Sequence, residues 1–247
     1  MFFRPSGTAG TAGAGASAHA QYRAKFAEGR TRRLALRAGL VLVSAIAVWW
    51  LWNWPTALLV AVVVGTADTV YRWRRHEAVR TWRKGAIGER RTARMLRPLG
   101  RHGYTVLHDR ALPSGRANVD HLVIGKTGVF VVDTKNWHRG KRLVRRGRSV
   151  RVGGASGGQI VRPVLYEAGR VADTLTRELG RRVIVVPVVA VHGADMPLLR
   201  VAKASGVPLL RASQVRGWIT RQPATLSTAE IAEVSATAER LLPPYTT

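Results

Sequence analysis

The sequence predicts an α/β domain with a mixed central sheet flanked by helices, preceded by an N-terminal transmembrane helical hairpin. Three observations lead there. Two apolar runs, residues 38–52 and 56–70, stand side by side early in the chain. After residue 73 a helical pattern gives way to several strand-like runs, and then helix and strand alternate, the order expected of an α/β core. The segment Val183–Val191 (VIVVPVVAV) is apolar throughout, as a strand covered on both faces must be.

Residues 1–20 are rich in Gly, Ala, Ser and Thr without apolar periodicity, and 21–33 are basic. Residues 1–33 therefore read as a disordered, basic N-terminal tail. The apolar stretch starts too late, behind too long a polar leader, for a signal peptide. Residues 34–73 read as the transmembrane hairpin. One helix covering both apolar runs would measure roughly 45–50 Å at about 1.5 Å per residue, too long for a hydrocarbon core of about 30 Å. Pro55, with Asn53 just before it, supplies the turn. Trp49, Trp50, Trp52 and Trp54 cluster at the tip, where an interfacial aromatic belt would lie. Arg32, Arg33 and Arg37 precede the pair, and Arg72, Arg74 and Arg75 follow it. This pattern puts both ends, and the soluble domain, on the cytoplasmic side of the cell membrane. A buried hairpin in a soluble core is the alternative; the lack of a polar face weighs against it.

Residues 74–200 read as the main soluble domain. A helix covers 74–97, with Gly85 and Gly88 as weak points. Strands follow at 104–108, 119–124 and 129–134, the last two joined by the turn Gly125-Lys126-Thr127-Gly128. A second hairpin at 141–152 turns at Arg146-Gly147, and the glycine-rich 153–158 reads as a loop. A helix over about 160–179 leads to the buried strand 183–191. Residues 201–247 supply a strand near 207–210 and helices at 212–221 and 227–241, completing or flanking the domain.

The chain has no cysteine, which excludes disulfides, thiolate zinc sites and cysteine nucleophiles. No GxGxxG, P-loop, helicase or protease signature is present. The formal charge is +26, from 40 Lys+Arg against 14 Asp+Glu, which permits anionic partners such as nucleic acid or anionic lipid. Within residues 80–160 the carboxylates are Glu89, Asp109, Asp120 and Asp133. In so basic a setting, Asp120 and the run Asp133-Thr134-Lys135 on adjoining strands suggest a divalent-metal site facing a polyanion. Asp133 and Lys135, two apart on a strand, share a face. This sets a metal-binding carboxylate beside an ammonium able to orient a water or stabilise phosphoryl charge. Asp120 can reach the same ion, and Glu89 on the preceding helix can support it. Magnesium or manganese, hard cations that prefer oxygen, would suit such a set. A strand end turning to solvent is the bland reading of Asp133-Thr134-Lys135.

The surrounding residues shift that balance. Gly85-Ala86-Ile87-Gly88-Glu89, then Ala117-Asn118-Val119-Asp120-His121-Leu122-Val123-Ile124-Gly125, then Gly128-Val129-Phe130-Val131-Val132-Asp133-Thr134-Lys135-Asn136-Trp137 closely resemble the nuclease-related domain, NERD, of the PD-(D/E)XK nuclease superfamily. The resemblance spans roughly residues 80–195. It implies a restriction-endonuclease-like core and metal-dependent hydrolysis of nucleic-acid phosphodiesters, with DNA the expected substrate and RNA the other option. By position it makes Asp120 and Asp133 metal ligands, Lys135 the catalytic lysine and Glu89 the helix acid of the site. The family commonly carries a glutamine after an Asn-Pro pair on the helix following the sheet. Here Arg162-Pro163-Val164-Leu165-Tyr166 stands there, with Tyr166 at the glutamine position and Gln159 a distant substitute. His121 should face away from Asp120 and pack. The basic hairpin 139–151 either tracks a phosphate backbone or is a solvated face. The alternative to an enzyme is a catalytically silent nucleic-acid-binding or membrane-tethered interaction module.

Overall fold

The computed structural model describes residues 84–113, 117–147, 149–196 and 201–245, with isolated positions between 35 and 71. Two compact units are distinguished, one at Ala18–Lys84 and one containing Gly85–Thr247. In the first, the described positions are helical, and Leu36, Val43, Val63, Val70 and Tyr71 are exposed. The tail 1–33 and most of the expected hairpin 34–73 lie outside the described residues. Among the described residues, no helix is long and apolar enough to cross a membrane.

The second unit is a mixed α/β domain. Helix α1, described over 84–96, leads through the 3₁₀ turn Arg97–His102 into β1 (Thr105–Ala111), β2 (Asn118–Gly125) and β3 (Gly128–Asn136). A small sheet follows, made of β4 (Leu143–Arg146), β5 (Ser149–Val152) and β6 (Ala155–Ser156). Then come α2 (Gly157–Leu179), β7 (Val185–His192), β8 (Ala202–Ala204), β9 (Val207–Arg211), α3 (Ala212–Thr220) and α4 (Thr228–Leu241). The main sheet runs β1-β2-β3-β7-β9-β8. β1, β2 and β3 are antiparallel neighbours, whereas β3, β7 and β9 are parallel.

Period-two alternation splits the core into two layers. Val129 and Val131 of β3 join Leu122, Ile124, Val189 and Val191 beneath α2 and α4. Phe130 and Val132 join Val123, Val188 and Ala190 against Leu96, Val215 and Ile219 on the other face. Central strands buried on both sides explain the unbroken apolar runs of the sequence.

Three local readings need correction. The stretch 153–158 is not a loop throughout: only Gly153-Gly154 turns, and α2 begins at Gly157. Ser156 and Gln159 form a capping box there, which satisfies the first free amides of the helix. Gly157 serves close approach, since a Cβ there would stand 2.7 Å from the Cβ of Ala204. The helix runs unbroken through Gly88, which seats α1 on β3, where an added Cβ would meet the Asn136 Cβ at 2.7 Å. β1 runs beyond residue 108 to Ala111, passing through Asp109 at φ +50°.

Downstream residues cover the outer edge of β1. Ala111 N–H donates to the Pro243 carbonyl at 2.8 Å, and Tyr245 N–H to the Asp109 carbonyl at 2.8 Å. Arg110 bridges Pro244 in antiparallel fashion.

Candidate active site

The β2–β3 ladder stops at His121↔Val132. The next pair in that register would be Asp120 and Asp133, and there the strands part. β3 continues beside β7 instead, with Asp133 opposite Val189 and Lys135 opposite Val191. The Thr134 amide, left without a strand partner on the β2 side, donates to Asp120 Oδ2 at 2.8 Å. This bond fixes the Asp120 carboxylate in the opening. Lys135 Nζ donates to Asp133 Oδ1 at 2.8 Å, with Asp133 buried and Lys135 partly open. Glu89 approaches from α1, half-buried. A fourth carboxylate, Glu167 on α2, comes from the helix covering the same face as Asp133, and is buried.

Burial dominates the electrostatics. It raises the Glu89 carboxyl to about 7, with Asp109 and Asp133 adding repulsion against the opposing pull of Lys135 and Arg90. It raises Glu167 to about 8, again reinforced by Asp133 and relieved by Lys135. Asp120 is pushed well above the ordinary carboxylate range by burial and by Glu89, Asp133 and Glu167, although the Thr134 amide counteracts this. Burial raises Asp133 too, against the pull of Lys135. For Lys135, burial alone would depress the ammonium; Asp133, then Asp120 and Glu167, more than offset it and hold it above its usual range. Lys135 is therefore a firm cation and the shared counter-charge of all four carboxylates. One lysine cannot neutralise four acids.

Behind β3, on the opposite face, lies a second polar cluster of different character. His108 Nδ1 and His121 Nδ1 are 2.8 Å apart, and His121 Nε2 is 3.3 Å from Thr134 Oγ1. Thr134 Oγ1 donates to Thr92 Oγ1 at 3.1 Å, and Thr92 Oγ1 is 2.8 Å from His192 Nε2. Burial lowers His108 to about 4 and carries His121 well below its ordinary value; His192 is lowered too. All three rings are thus neutral at pH 7. Because Thr134 gives its proton to Thr92, His121 must donate through Nε2 and accept at Nδ1. Donors then run in one direction, from His108 through His121, Thr134 and Thr92 to His192. As expected of adjacent strand residues, His121 faces away from Asp120.

The sequence comparisons agree with this geometry. Residues 84–192 match the family model of the nuclease-related domain. The chain carries a NERD domain. NERD domains belong to the PD-(D/E)XK-like nuclease superfamily, whose members generally use divalent metals. An uncharacterised protein of Bacillus anthracis is 39% identical over 83 residues, covering 32% of this chain and 36% of that protein. The chain therefore spans about a third of the length of this curated relative. No solved structure matches. The NERD match ends at residue 192, so β8 and β9, which complete the sheet, lie beyond it.

Within the NERD domain the structure brings together Glu89, Asp120, Asp133 and Lys135, the residues singled out from the sequence. It does not bring in Tyr166 or Gln159. Tyr166 is 54% exposed, and the Gln159 side chain is spent on the Ser156 cap at the start of α2. The fourth acid is Glu167, one residue further on. The sequence held a signal for it: Val164, Ala168, Val171 and Leu175 form the apolar stripe of α2, and Glu167 falls on that stripe by helical spacing.

Among the described residues, no three His, Asp or Glu side chains are gathered closely enough to enclose an ion as they stand. Two observations nevertheless fit a hard cation. Asp133 Oδ2 and Glu167 Oε2 are both buried and without a hydrogen-bond partner. A buried carboxylate oxygen left without a partner is costly, and a divalent ion would satisfy both. The donors are all carboxylate oxygens, the set preferred by magnesium and manganese.

Proposed function

We propose that this protein is a membrane-anchored nuclease with a restriction-endonuclease-like core, its catalytic domain facing the cytoplasm, that hydrolyses DNA with Mg2+ or Mn2+. The observation carrying this reading is the opening between β2 and β3, where Asp120 and Asp133 face each other beside Lys135. Asp120 and Asp133 would hold the cation, with Glu89 supporting it. The ion supplies charge neutralisation at the scissile phosphate and an activated water. Lys135, held by Asp133 Oδ1, donates to a phosphoryl oxygen or orients the attacking water. Asp133 holds that ammonium in place through Oδ1, and the Thr134 amide keeps Asp120 turned into the opening.

The substrate reading draws on charge. A cleft of about 430 Å³ is lined by Arg142, Ser149 and Arg151, and another of about 450 Å³ by Arg145, Lys203 and Ser205. The first sits at the small sheet and the second between β4 and the β8–β9 hairpin; β4 is tied to the segment after β7, where Leu143 N–H donates to the Asp195 carbonyl at 2.9 Å. β7 ends beside the Lys135 end of β3. Cationic side chains there suit a phosphate backbone.

The test is cleavage of single- and double-stranded DNA and RNA by the purified full-length chain, with Mg2+, Mn2+ or EDTA. The expected result is metal-dependent cleavage of DNA that is lost in Lys135→Ala. Unchanged cleavage by Asp133→Ala or Lys135→Ala would sink the assignment.

The membrane reading rests on the apolar runs of residues 34–73 and on helical Val43 and Val63, which are 60% and 59% exposed. The cysteine-free chain makes the check direct. A single cysteine introduced at Trp54 should react with an impermeant thiol reagent from outside intact cells, and one at Arg139 should not. A tip cysteine protected in cells but reactive after lysis would argue against this topology.

One observation favours a second reading, a silent nucleic-acid-binding module: no three metal-binding side chains stand together among the described residues. That module would bind DNA in a salt-sensitive way, indifferent to magnesium and to Asp133→Ala.

A further inference from the structure

A buried acid on an apolar helix stripe calls for a partner, and Glu167 lacks a sufficient one. Its neighbours on α2, Val164, Ala168 and Val171, are packed into the core beneath the sheet. Glu167 itself is 9% exposed, and its Oε2 atom is buried with no hydrogen-bond partner. Asp133 Oδ2 is in the same condition, because Lys135 engages only Oδ1. These two unpartnered oxygens belong to acids that interact across the interface between α2 and β3. Lys135 is already shared among Glu89, Asp120 and Asp133 as well. What the geometry lacks at this point is positive charge, and the surrounding atoms are hard oxygens.

We propose that Glu167 is a direct ligand of the divalent cation, joining Asp120 and Asp133, so that α2 as well as the sheet holds the metal. This inference rests on the metal-dependent reading of the site and adds a ligand to it. Two consequences follow from the chemistry. The neutral isostere at this position should relieve repulsion in the metal-free protein. The same change should remove a charged oxygen from the ion. Apo stability and metal response should therefore move in opposite directions, which a residue acting only in packing would not produce.

The experiment needs no nucleic acid. Thermal unfolding of the full-length chain is followed with and without Mg2+ or Mn2+, for wild type, Glu167→Gln and Asp133→Asn. Wild type should rise in Tm with metal, as any ligand bound to the folded state alone requires. Glu167→Gln should unfold at or above the wild-type temperature without metal, yet lose most of the metal-induced rise. A Glu167→Gln protein with the full wild-type rise overturns the proposal. If that variant keeps the rise while Asp133→Asn loses it, Glu167 alone is excluded and the metal site survives. If wild type shows no rise, the metal-dependent reading falls and this inference with it. Should Glu167→Gln fail to fold, calorimetric titration of Glu167→Asp with Mn2+ takes its place. There a Kd weakened by about tenfold or more supports the ligand role, and an unchanged Kd refutes it.

Discussion

The two faces of β3 carry buried polar groups at the same level of the sheet, but under opposite rules. On one face Asp133, Lys135, Asp120 and Glu167, with Glu89 reaching toward them from α1, are ionisable groups in excess of their partners, with two buried oxygens unmatched. On the other, His108, His121, Thr134, Thr92 and His192 are neutral and form one continuous, unidirectional chain. Thr134 belongs to both, its amide serving the first face and its hydroxyl the second. A satisfied buried network fixes structure, whereas an unsatisfied one is held in reserve for a ligand. The satisfied face thus anchors β3, and the unsatisfied face is the one on which the proposed metal site lies.

The largest effect should come from the charged face. Lys135→Ala should lower cleavage by about 10²- to 10³-fold, the usual cost of removing a group that stabilises developing charge, and should also lower the metal-free Tm, because buried Asp133 loses its partner. Cleavage unchanged beside a lowered Tm would instead make Lys135 structural and erase the contrast between the faces.

Acidity should come next. Glu89 titrates at about 7 and Glu167 at about 8 in the folded chain, both raised from an ordinary value of 4.5. Raised carboxyls bind protons more tightly in the folded state. They add stability that is complete below about pH 4.5 and lost as pH climbs through 7 and 8. The metal-free protein should therefore be less stable at pH 8 than at pH 5, by an amount on the order of a few kcal/mol. Magnesium should flatten that slope. Equal metal-free stability at the two pH values would mean the four acids are better compensated than the geometry indicates.

The neutral face should respond in stability. Thr134→Val removes the hydroxyl at the middle of the chain and strands Thr92 and His121, at a cost of about 1–3 kcal/mol. Thr134→Ser should restore most of it. Smaller still, Gly88→Ala would press a methyl against Asn136 and Thr134, lifting α1 and Glu89 from β3. A loss of about 1 kcal/mol, typical of mild overpacking, should accompany a weaker metal-induced rise in Tm. The mildest change is Arg145→Ala in the basic cleft. It should weaken DNA binding without sequence dependence and reduce the log–log salt slope by about one.

The same contrast explains what the sequence discloses. Asp133 and Lys135 were legible because a strand has period two, which places them together whatever surrounds them. Asp120 and Glu89 were legible because they stand inside specific runs of neighbours. Glu167 was legible only through the apolar stripe of α2, on which it falls by helical spacing, and no specific run of neighbours marks it as Asp120 and Glu89 are marked. The long strands announced themselves as apolar runs. β8, only Ala202–Ala204, has no such run and owes its place to pairing with β9. The neutral chain behind β3 joins residues from 92 to 192, and nothing local in the sequence predicts that meeting.

The seam formed by Pro243, Pro244 and Tyr245 along β1 has a consequence for how the protein behaves in company. An open sheet edge offers unpaired amides and carbonyls to any passing strand, its own copies included. Here the chain's last described residues occupy part of that edge, and two of them are prolines, which cannot extend a ladder further. Trimming them would leave β1 open from Asp109 to Ala111 and invite neighbouring molecules to zip together edge to edge. The C-terminal segment is in this sense a guard against self-association, fastened at the Asp109 backbone.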